Sequence, residues 1–213
     1  MQNSQFSTGN GSESRIQVYF GLPDIFVDVG DHIAHFFRGE EERLSVLLPF
    51  IQAGLEAGDQ CCLITESAAS PMIQEHLGEL GVDVAAALAS GQLVVSEGGT
   101  NEQEMSDMFD NVISGAKVAG REVIRIGGDM TWALSKMPSS EKLLEWEAFY
   151  DTHVGPRANF IALCQYDHTR FGGSAIMCAL ETHPLSIIGN VVQQNPFYRD
   201  PEQVLQELAQ NAA

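Results

Sequence analysis

Short apolar runs separated by helix-sized segments are the feature that most constrains the fold of this chain. Residues 60–65 (QCCLIT) and 159–164 (NFIALC) are apolar almost without interruption, which is typical of strands buried on both faces of a parallel sheet. Because such runs alternate with helical segments, the sequence predicts an α/β fold with a mostly parallel central sheet and helices on both of its faces. The predicted strands are residues 16–20, 31–37, 60–65, 92–95, 122–126 and 159–164.

The clearest helix is predicted at residues 40–57. Leucine and isoleucine side chains recur there with the 3.6-residue period, acidic residues open the segment, and Gly58 follows it. Residues 101–119 carry a second apolar face of the same period. Further helices are predicted at 69–80, 84–89, 140–153, 173–180 and 201–209, and a hairpin is predicted at 185–193 with Gly189 and Asn190 at its turn.

The composition is that of one globular domain. Hydrophobic residues make up 44% and charged residues 19% of the 213 positions, as in ordinary soluble proteins. We expect a disordered polar tail at residues 1–15 and a single domain at 16–213. No apolar run approaches the roughly 18–20 residues that span a bilayer. The cysteines lie in apolar contexts, which favours reduced thiols and a cytoplasmic location; they are Cys61, Cys62, Cys164 and Cys178.

The charge balance restricts the partners of the chain. Twenty-nine acidic residues against eleven basic ones give a formal net charge of −18. A field of this sign repels phosphate backbones and anionic membrane surfaces. Direct binding to nucleic acid or to a membrane is therefore not expected, whereas a basic protein partner fits, and a homo-oligomer is compatible with the sequence.

Common nucleotide-binding motifs are missing. The strand at 60–65 leads into ESAASPM, with no glycine and no lysine, and the chain contains no Gly-Lys dipeptide. A phosphate-binding loop requires both residues between a strand and a helix. Neither a dinucleotide-binding glycine fingerprint nor a Gly-x-Ser-x-Gly motif is present. We therefore expect no ATPase activity and no hydrolysis of ATP.

Polar and aromatic side chains follow three of the predicted strands. In open parallel sheets, ligands bind beyond the carboxyl ends of the strands, so we expect these side chains to line a ligand site. Glu147 joins them because it falls on the apolar face of its helix, where an acid has a partner or marks a site. The candidate ligand-binding residues are Glu66, Asp129, Trp132, Glu147, Tyr166, Asp167 and His183.

Several of these side chains also have structural interpretations. His32 and His35 point to opposite faces if residues 31–37 form a strand, so only one of them can face a site, and either can be a hydrogen-bonded core histidine. His183 ends a helix, where it can act as a cap or as a ligand. Cys62 and Cys164 can be small core hydrophobes.

Eight segments of the chain carry a family pattern, and they are GDHIAHFF, LLPFIQAGLEAGDQCCLIT, GVDVAAALASGQLVV, IRIGGDMTWAL, LLEWEAFYD, ALCQYD, THPLSIIGN and NPFY. In this order they resemble the MEDS domain, the sensory domain of the dichloromethane-dehalogenase regulator and of methanogen and methylotroph signalling proteins. The resemblance extends over roughly residues 29–198, and IRIGGDMTWAL and ALCQYD followed by THP are its most specific parts.

The resemblance implies a degenerate RecA/KaiC-like fold and a role in sensing simple hydrocarbon derivatives. Family histidines and cysteines have been taken to suggest a bound metal ion. One departure, Ala34 where relatives often carry cysteine, counts against a metal in this chain. The residues on the family's metal positions are His32, Cys62, Cys164 and His183.

The leading functional hypothesis is a non-catalytic signal-transduction sensor that binds a small organic ligand and signals through a partner protein. Family domains are usually fused to a kinase or DNA-binding module, so we expect a kinase or transcriptional regulator to be contacted in trans. One alternative is a stand-alone interaction module that docks such a protein. A third hypothesis is a small-molecule enzyme in which Asp129, Glu147 and His183 carry out acid–base chemistry.

Overall fold

The computed structural model describes residues 16–67, 69–99, 101–137 and 139–211. The tail predicted at residues 1–15 lies outside this range. The described part begins with a small antiparallel ribbon of two strands, β1 (Gln17–Tyr19) and β2 (Phe26–Asp28). None of the described helices combines the length and the hydrophobicity that crossing a membrane requires.

A seven-stranded sheet forms the centre of the fold. Its strands are β3 (His32–Phe37), β4 (Gln60–Ile64), β5 (Leu93–Ser96), β6 (Ile124–Asp129), β7 (Phe160–Asp167), β8 (Leu185–Ile188) and β9 (Val191–Gln194). The strand order is β5-β4-β6-β7-β3-β8-β9, and every neighbouring pair is parallel except β8 and β9. The mostly parallel α/β architecture predicted from the alternating segments is therefore confirmed.

Helices connect the parallel strands, as crossovers between such strands require. The α-helices are α1 (Gly39–Ala57), α2 (Ser70–Glu79), α3 (Val84–Ala89), α4 (Glu102–Val118), α5 (Thr131–Lys136), α6 (Ser140–Phe149), α7 (Gly173–Thr182) and α8 (Pro201–Asn211). The last turn of α6 passes directly into a π-helical turn at Tyr150–Val154 and then into a 3₁₀ turn at Gly155–Arg157.

Each face of the sheet is buried in its own hydrophobic core. The face that we call the α1 face packs against α1, α2, α3 and the β1–β2 ribbon. The opposite face, which we call the α6 face, packs against α4, α5, α6, the π-helical turn and α7. Alternation along the strands sends neighbours to different faces: Cys61 belongs to the α1 core and Cys62 to the α6 core. All four cysteines are free thiols.

The structure differs from the sequence-based elements in places that matter for the site. β6 and β7 continue through Asp129 and Asp167, so these carboxylates belong to the strands rather than to the loops beyond them. The helix α5 and the strand β2 were not predicted. The helix predicted at 140–153 ends as an α-helix at Phe149, where the π-helical turn begins.

Candidate metal centre

Four buried side chains with metal-binding atoms converge on the α6 face. They come from four elements: His32 begins β3, Cys164 lies in β7, Glu147 lies in α6, and His183 follows α7. One nitrogen, oxygen or sulfur atom from each lies within 4.8 Å of the others. His32 Nε2 is 3.3 Å from Cys164 Sγ and 3.5 Å from Glu147 Oε2, and His183 Nε2 is 4.0 Å from the same carboxylate oxygen.

Strand register places the first two of these side chains together. β3 and β7 are parallel neighbours, in which His32 pairs with Ala162 and Ala34 pairs with Cys164. Residues two apart on a strand share a face, so His32 and Cys164 both project towards α6. His35 projects to the other face, where its Nδ1 accepts a hydrogen bond from Gln165 Nε2 at 2.9 Å. The expectation that only one histidine of this strand faces the site therefore agrees with the geometry.

Hydrogen bonds fix the orientation of both imidazole rings. His183 Nδ1 lies 2.7 Å from the carbonyl oxygen of Ala179, and because a carbonyl only accepts, Nδ1 carries the proton. His32 Nδ1 lies 2.8 Å from Asp151 Oδ1, and the carboxylate requires the same arrangement there. Both rings thus present Nε2 to the cluster, and His183 Nε2 is buried without a hydrogen-bond partner.

The π-helical turn supplies the partner of His32. It starts directly after α6 and carries Asp151 at its second position. Such turns occur frequently at functional sites because they shift the side chains that follow relative to an α-helix. Its first residue, Tyr150, packs its ring against His32 with centroids 4.8 Å apart, and the Tyr150 hydroxyl is buried without a partner.

Burial and neighbouring charges change the pKa values of the site. Burial lowers the pKa of His183 well below its ordinary value, and the neighbouring His32 lowers it further. Burial also acts to lower the pKa of His32, but the Asp151 carboxylate and the Cys164 sulfur outweigh it and raise that pKa well above its ordinary value. Burial raises the pKa of Glu147, against the opposing effects of His32 and of the hydrogen bond from the Tyr166 hydroxyl.

The surroundings of Cys164 favour its thiol form in the absence of a cation. Burial, and then the Glu147 carboxylate, raise its pKa to about 11, although His32 acts in the opposite direction. Cys164, His32 and Asp151 are arranged as a nucleophile, a base and an acid that orients the base would be. Nucleophilic attack requires the thiolate, which these surroundings disfavour.

The four donor atoms are of the kinds that a tetrahedral metal ion binds. Zinc binds cysteine, histidine and carboxylate ligands at about 2.0–2.3 Å, which places the donors of a tetrahedral site roughly 3.3–3.8 Å apart. All four donors lie within 4.8 Å of one another; the separations of 3.3 and 3.5 Å fall in the tetrahedral range, and that of 4.0 Å is wider. The unpartnered Nε2 of His183 is the atom that a cation would engage. The donor set therefore suits a divalent transition metal.

A small cavity adjoins the four donors. Its volume is about 30 Å³, and His32, Glu147 and Cys164 form its polar wall. This exceeds the roughly 10–15 Å³ that one water molecule needs, so the space suits a molecule of only a few non-hydrogen atoms. The rest of the lining is apolar and rich in aromatic rings and methionine; it consists of Ile64, Met105, Phe109, Ile126, Gly128, Met130, Trp132, Trp146, Tyr150 and Ala162.

The ligand-site residues predicted from the strand ends do not form one group. Glu147, Tyr166 and His183 lie together on the α6 face, and Trp132 lines the adjoining cavity. Asp129 instead contacts Arg43 of α1 at 3.3 Å on the α1 face. The acid–base trio of Asp129, Glu147 and His183 is therefore divided between the two faces of the sheet.

The remaining two predicted acids lie at the carboxyl edge. Glu66 is exposed after β4. The Oδ1 atom of Asp167 accepts hydrogen bonds from the backbone N–H and the hydroxyl of Thr169, so one of its two carboxylate oxygens is already bonded to a residue close in sequence. A ligand-binding role for Glu66, Asp129 or Asp167 stays a prediction.

Cys62 does not join the cluster. It pairs with Ile126 of β6, and β6 separates its strand from β7. The fourth metal-binding side chain among the described residues is Glu147, which the metal set inferred from the family resemblance did not include. Ala34, the residue that departs from many relatives, pairs with Cys164 on the same face as His32, so a cysteine at position 34 would point into this region.

Asp151 was missed in the sequence, although a signal for it exists. Glu147 and Asp151 are four residues apart in a segment with helical periodicity, and residues at that spacing share a helix face. An apolar face that carries two acids is unusual. The contact with His32 spans 119 positions, so spacing alone could not reveal its partner.

Comparison with known proteins identifies the family of this chain. The profile of the family described as MEDS, the methanogen/methylotroph, DcmR sensory domain, matches residues 31–184, a range that includes all four converging side chains. The transcriptional repressor DcmR of Methylorubrum extorquens is 35% identical over 153 residues. That alignment covers 72% of this chain but 58% of the repressor, so the chain spans little more than half the length of this relative.

The fold has a solved counterpart. The crystal structure of a KaiC-like protein from Pyrococcus horikoshii OT3 superposes with a TM-score of 0.57 and 11% identity, covering 81% of this chain and 79% of the other. This similarity supports the fold alone, a RecA/KaiC-like α/β sheet. The profile match and the 35% identity go further, and together they show that this chain belongs to the MEDS family of sensory domains.

Proposed function

We propose that this chain is a single, non-catalytic sensory domain in which His32, Glu147, Cys164 and His183 hold a divalent transition metal beside a small-ligand pocket. The observation that carries the proposal is the convergence of four buried donor atoms whose only described positive partners are the imidazoles themselves. Burying such groups without a cation is unfavourable. A metal ion would neutralise the thiolate and the carboxylate and engage both Nε2 atoms.

The ligand is proposed to be a simple hydrocarbon derivative. The cavity of about 30 Å³ has a polar side formed by the metal-binding residues and an apolar side that includes Trp132 and Trp146. The metal would supply a Lewis-acidic centre next to this space. The apolar wall would select a short alkyl group, while the polar side would orient one donor atom.

Membership of the family supports a regulatory role for this chain. The protein that receives its signal is part of our proposal. The related repressor acts in transcription according to its name. We propose that this domain passes its signal to a protein partner such as a kinase or transcriptional regulator, in the cytoplasm. The net charge of −18 favours a basic surface on that partner. We propose no contact of this domain with nucleic acid.

Cobalt substitution tests both the metal and the ligand. Metal-free protein would be titrated with Co²⁺, whose absorption reports thiolate coordination and geometry. We expect one Co²⁺ per chain and a thiolate charge-transfer band that is absent in Cys164→Ser. Cys178→Ser is the matched control, since Cys178 is a half-buried thiol outside the cluster. Short-chain alcohols, aldehydes, amines and halides would then be screened for changes in the Co²⁺ spectrum.

Two results would contradict the proposal. Failure of the wild-type protein to bind Co²⁺ or Zn²⁺, or identical spectra for the two cysteine variants, would remove the metal centre. A screen in which no compound perturbs the Co²⁺ spectrum or the thermal unfolding would remove ligand sensing from this pocket.

A further inference from the structure

The segment that follows the hairpin is tied to the metal-binding residues at several points. We call residues 195–211 the C-terminal latch; it comprises Asn195, the connection 196–200 and α8. The family profile ends at residue 184, so the latch lies beyond the profile, although its first four residues are the NPFY segment of the family resemblance. Its first residue is 7% exposed, although its polar side chain would be expected at the surface.

Asn195 holds the chain around His183. Its Nδ2 donates to the carbonyl oxygen of His183 at 2.7 Å and to that of Leu180 at 2.5 Å, and its backbone N–H donates to Pro184 O at 2.9 Å. Its Oδ1 accepts from Phe197 N at 3.0 Å, which turns the chain towards α8. One amide side chain therefore fastens the latch to the backbone of a proposed metal ligand.

The rest of the latch contacts the elements that carry the other site residues. α8 packs against α6, the helix of Glu147, and against the π-helical turn of Asp151. Burial, and then the Asp151 carboxylate of that turn, raise the pKa of Tyr198 to about 12. Arg199 joins Glu181 of α7 to Glu207 of α8.

We propose that Asn195 is a positioning residue for His183, and that metal occupancy and docking of the C-terminal latch are thermodynamically coupled. This inference rests on the proposed metal centre. If the docked latch holds His183 and the π-helical turn in their binding positions, docking raises metal affinity. Linkage then requires that metal binding favour docking by the same factor. The latch is thereby the element through which occupancy of a buried centre changes the protein surface.

The test combines Co²⁺ affinity with hydrogen exchange on the full chain. Asn195→Ala removes both amide donors, and Asn195→Asp keeps the acceptor for Phe197 but cannot donate to His183. Both variants should bind Co²⁺ about 10–100-fold more weakly, as is typical when a group that orients a metal ligand is lost. The d–d absorption bands of the bound Co²⁺ should also shift, because His183 is no longer held in its wild-type position. Gln194→Ala is the control, since Gln194 is an exposed neighbour.

Hydrogen exchange of the wild-type protein supplies an independent measurement if a variant folds poorly. Adding Co²⁺ should slow exchange in residues 195–211. The coupling would be overturned if both Asn195 variants kept the wild-type Co²⁺ affinity and spectrum, or if Co²⁺ did not change the hydrogen-exchange rates of residues 195–211. Either result would leave the metal centre in place. If the wild-type chain binds no metal at all, the metal centre and the coupling both fail.

Discussion

The two faces of the central sheet bury polar groups in different ways. On the α1 face, Arg125 is 1% exposed and paired with a carboxylate: its Nε donates to Asp59 Oδ2 at 2.8 Å, and its Nη1 donates to two backbone carbonyl oxygens at 3.3 Å. Gly54 makes room for it, since a Cβ there would lie 2.5 Å from Arg125 Cδ. Charge, hydrogen bonds and shape are thus matched around this cation, although His35 Nε2 and Gln165 Oε1 are buried on the same face without a hydrogen-bond partner.

On the α6 face, the buried groups are mismatched. Two imidazoles, a carboxyl and a thiol converge, and His183 Nε2, Tyr150 Oη and Asp151 Oδ2 have no hydrogen-bond partner. A paired buried charge, as on the α1 face, serves the fold. Convergent donors that lack partners point instead to a binding role, because leaving them buried and unpaired costs stability.

The largest expected effect comes from breaking the matched pair. Asp59→Ala leaves the guanidinium of Arg125 buried without its carboxylate, which should lower the free energy of unfolding by about 3–5 kcal/mol. Urea unfolding followed by circular dichroism measures this loss, and it should be the same with Zn²⁺ or with chelator. A loss below about 1 kcal/mol would show that the pair is not the structural element described.

A pH effect of intermediate size should come from His35 on the α1 face. Burial, and then the neighbouring Arg43 cation, lower the pKa of His35 to about 4, whereas the unfolded chain titrates near 6.5. Between these values the unfolded state binds more protons, so stability falls as the pH falls from 6.5 towards 4, and it is retained above 6.5.

The variant His35→Gln isolates this contribution. In the presence of chelator, lowering the pH from 7.5 to 5 should cost the wild-type protein about 2 kcal/mol more than the variant. Urea titrations of both proteins at the two pH values provide the measurement. Parallel pH profiles would mean that His35 does not remain neutral in the folded state.

Removing a charge from the mismatched face should have a smaller effect on stability. Glu147→Gln keeps an acceptor for the Tyr166 hydroxyl and removes a buried carboxyl, so metal-free stability should change by less than about 1 kcal/mol in either direction. Stabilisation by Zn²⁺ should disappear. A loss as large as that expected for Asp59→Ala would erase the contrast between the two faces.

A stability effect that is also small is expected for a helix cap. The Ser139 side chain accepts a hydrogen bond from Lys142 N at the start of α6, as Asp83 does from Ala86 N at the start of α3. Ser139→Ala and Asp83→Ala should each cost about 1 kcal/mol. The thermal unfolding of Ser139→Ala and Asp83→Ala compares a cap on the α6 face with one on the α1 face. Because α6 carries Glu147, only Ser139→Ala should change the Co²⁺ affinity.

The alternating apolar segments were sufficient to predict the fold class and most of the helices. β3, β4 and α1 lie within two residues of their predicted bounds, because their periodicity and end signals are local. The site was predicted only in part. His32, Cys164 and His183 came from the family resemblance and Glu147 from its place on an apolar helix face, but the sequence did not group these four residues.

The sequence by itself determined the sheet with its two buried faces, the missing phosphate-binding loop and the residue types available for a site. Tertiary structure decided which of them meet. The contact of His32 with Cys164 spans 132 positions and that with Asp151 spans 119, and each depends on strand order, parallel register and the π-helical turn. Such contacts result from packing many elements at once, so no local pattern specifies them. For the same reason Asp129, which the strand-end rule selected, faces Arg43 and α1 instead of the cluster of His32, Glu147, Cys164 and His183.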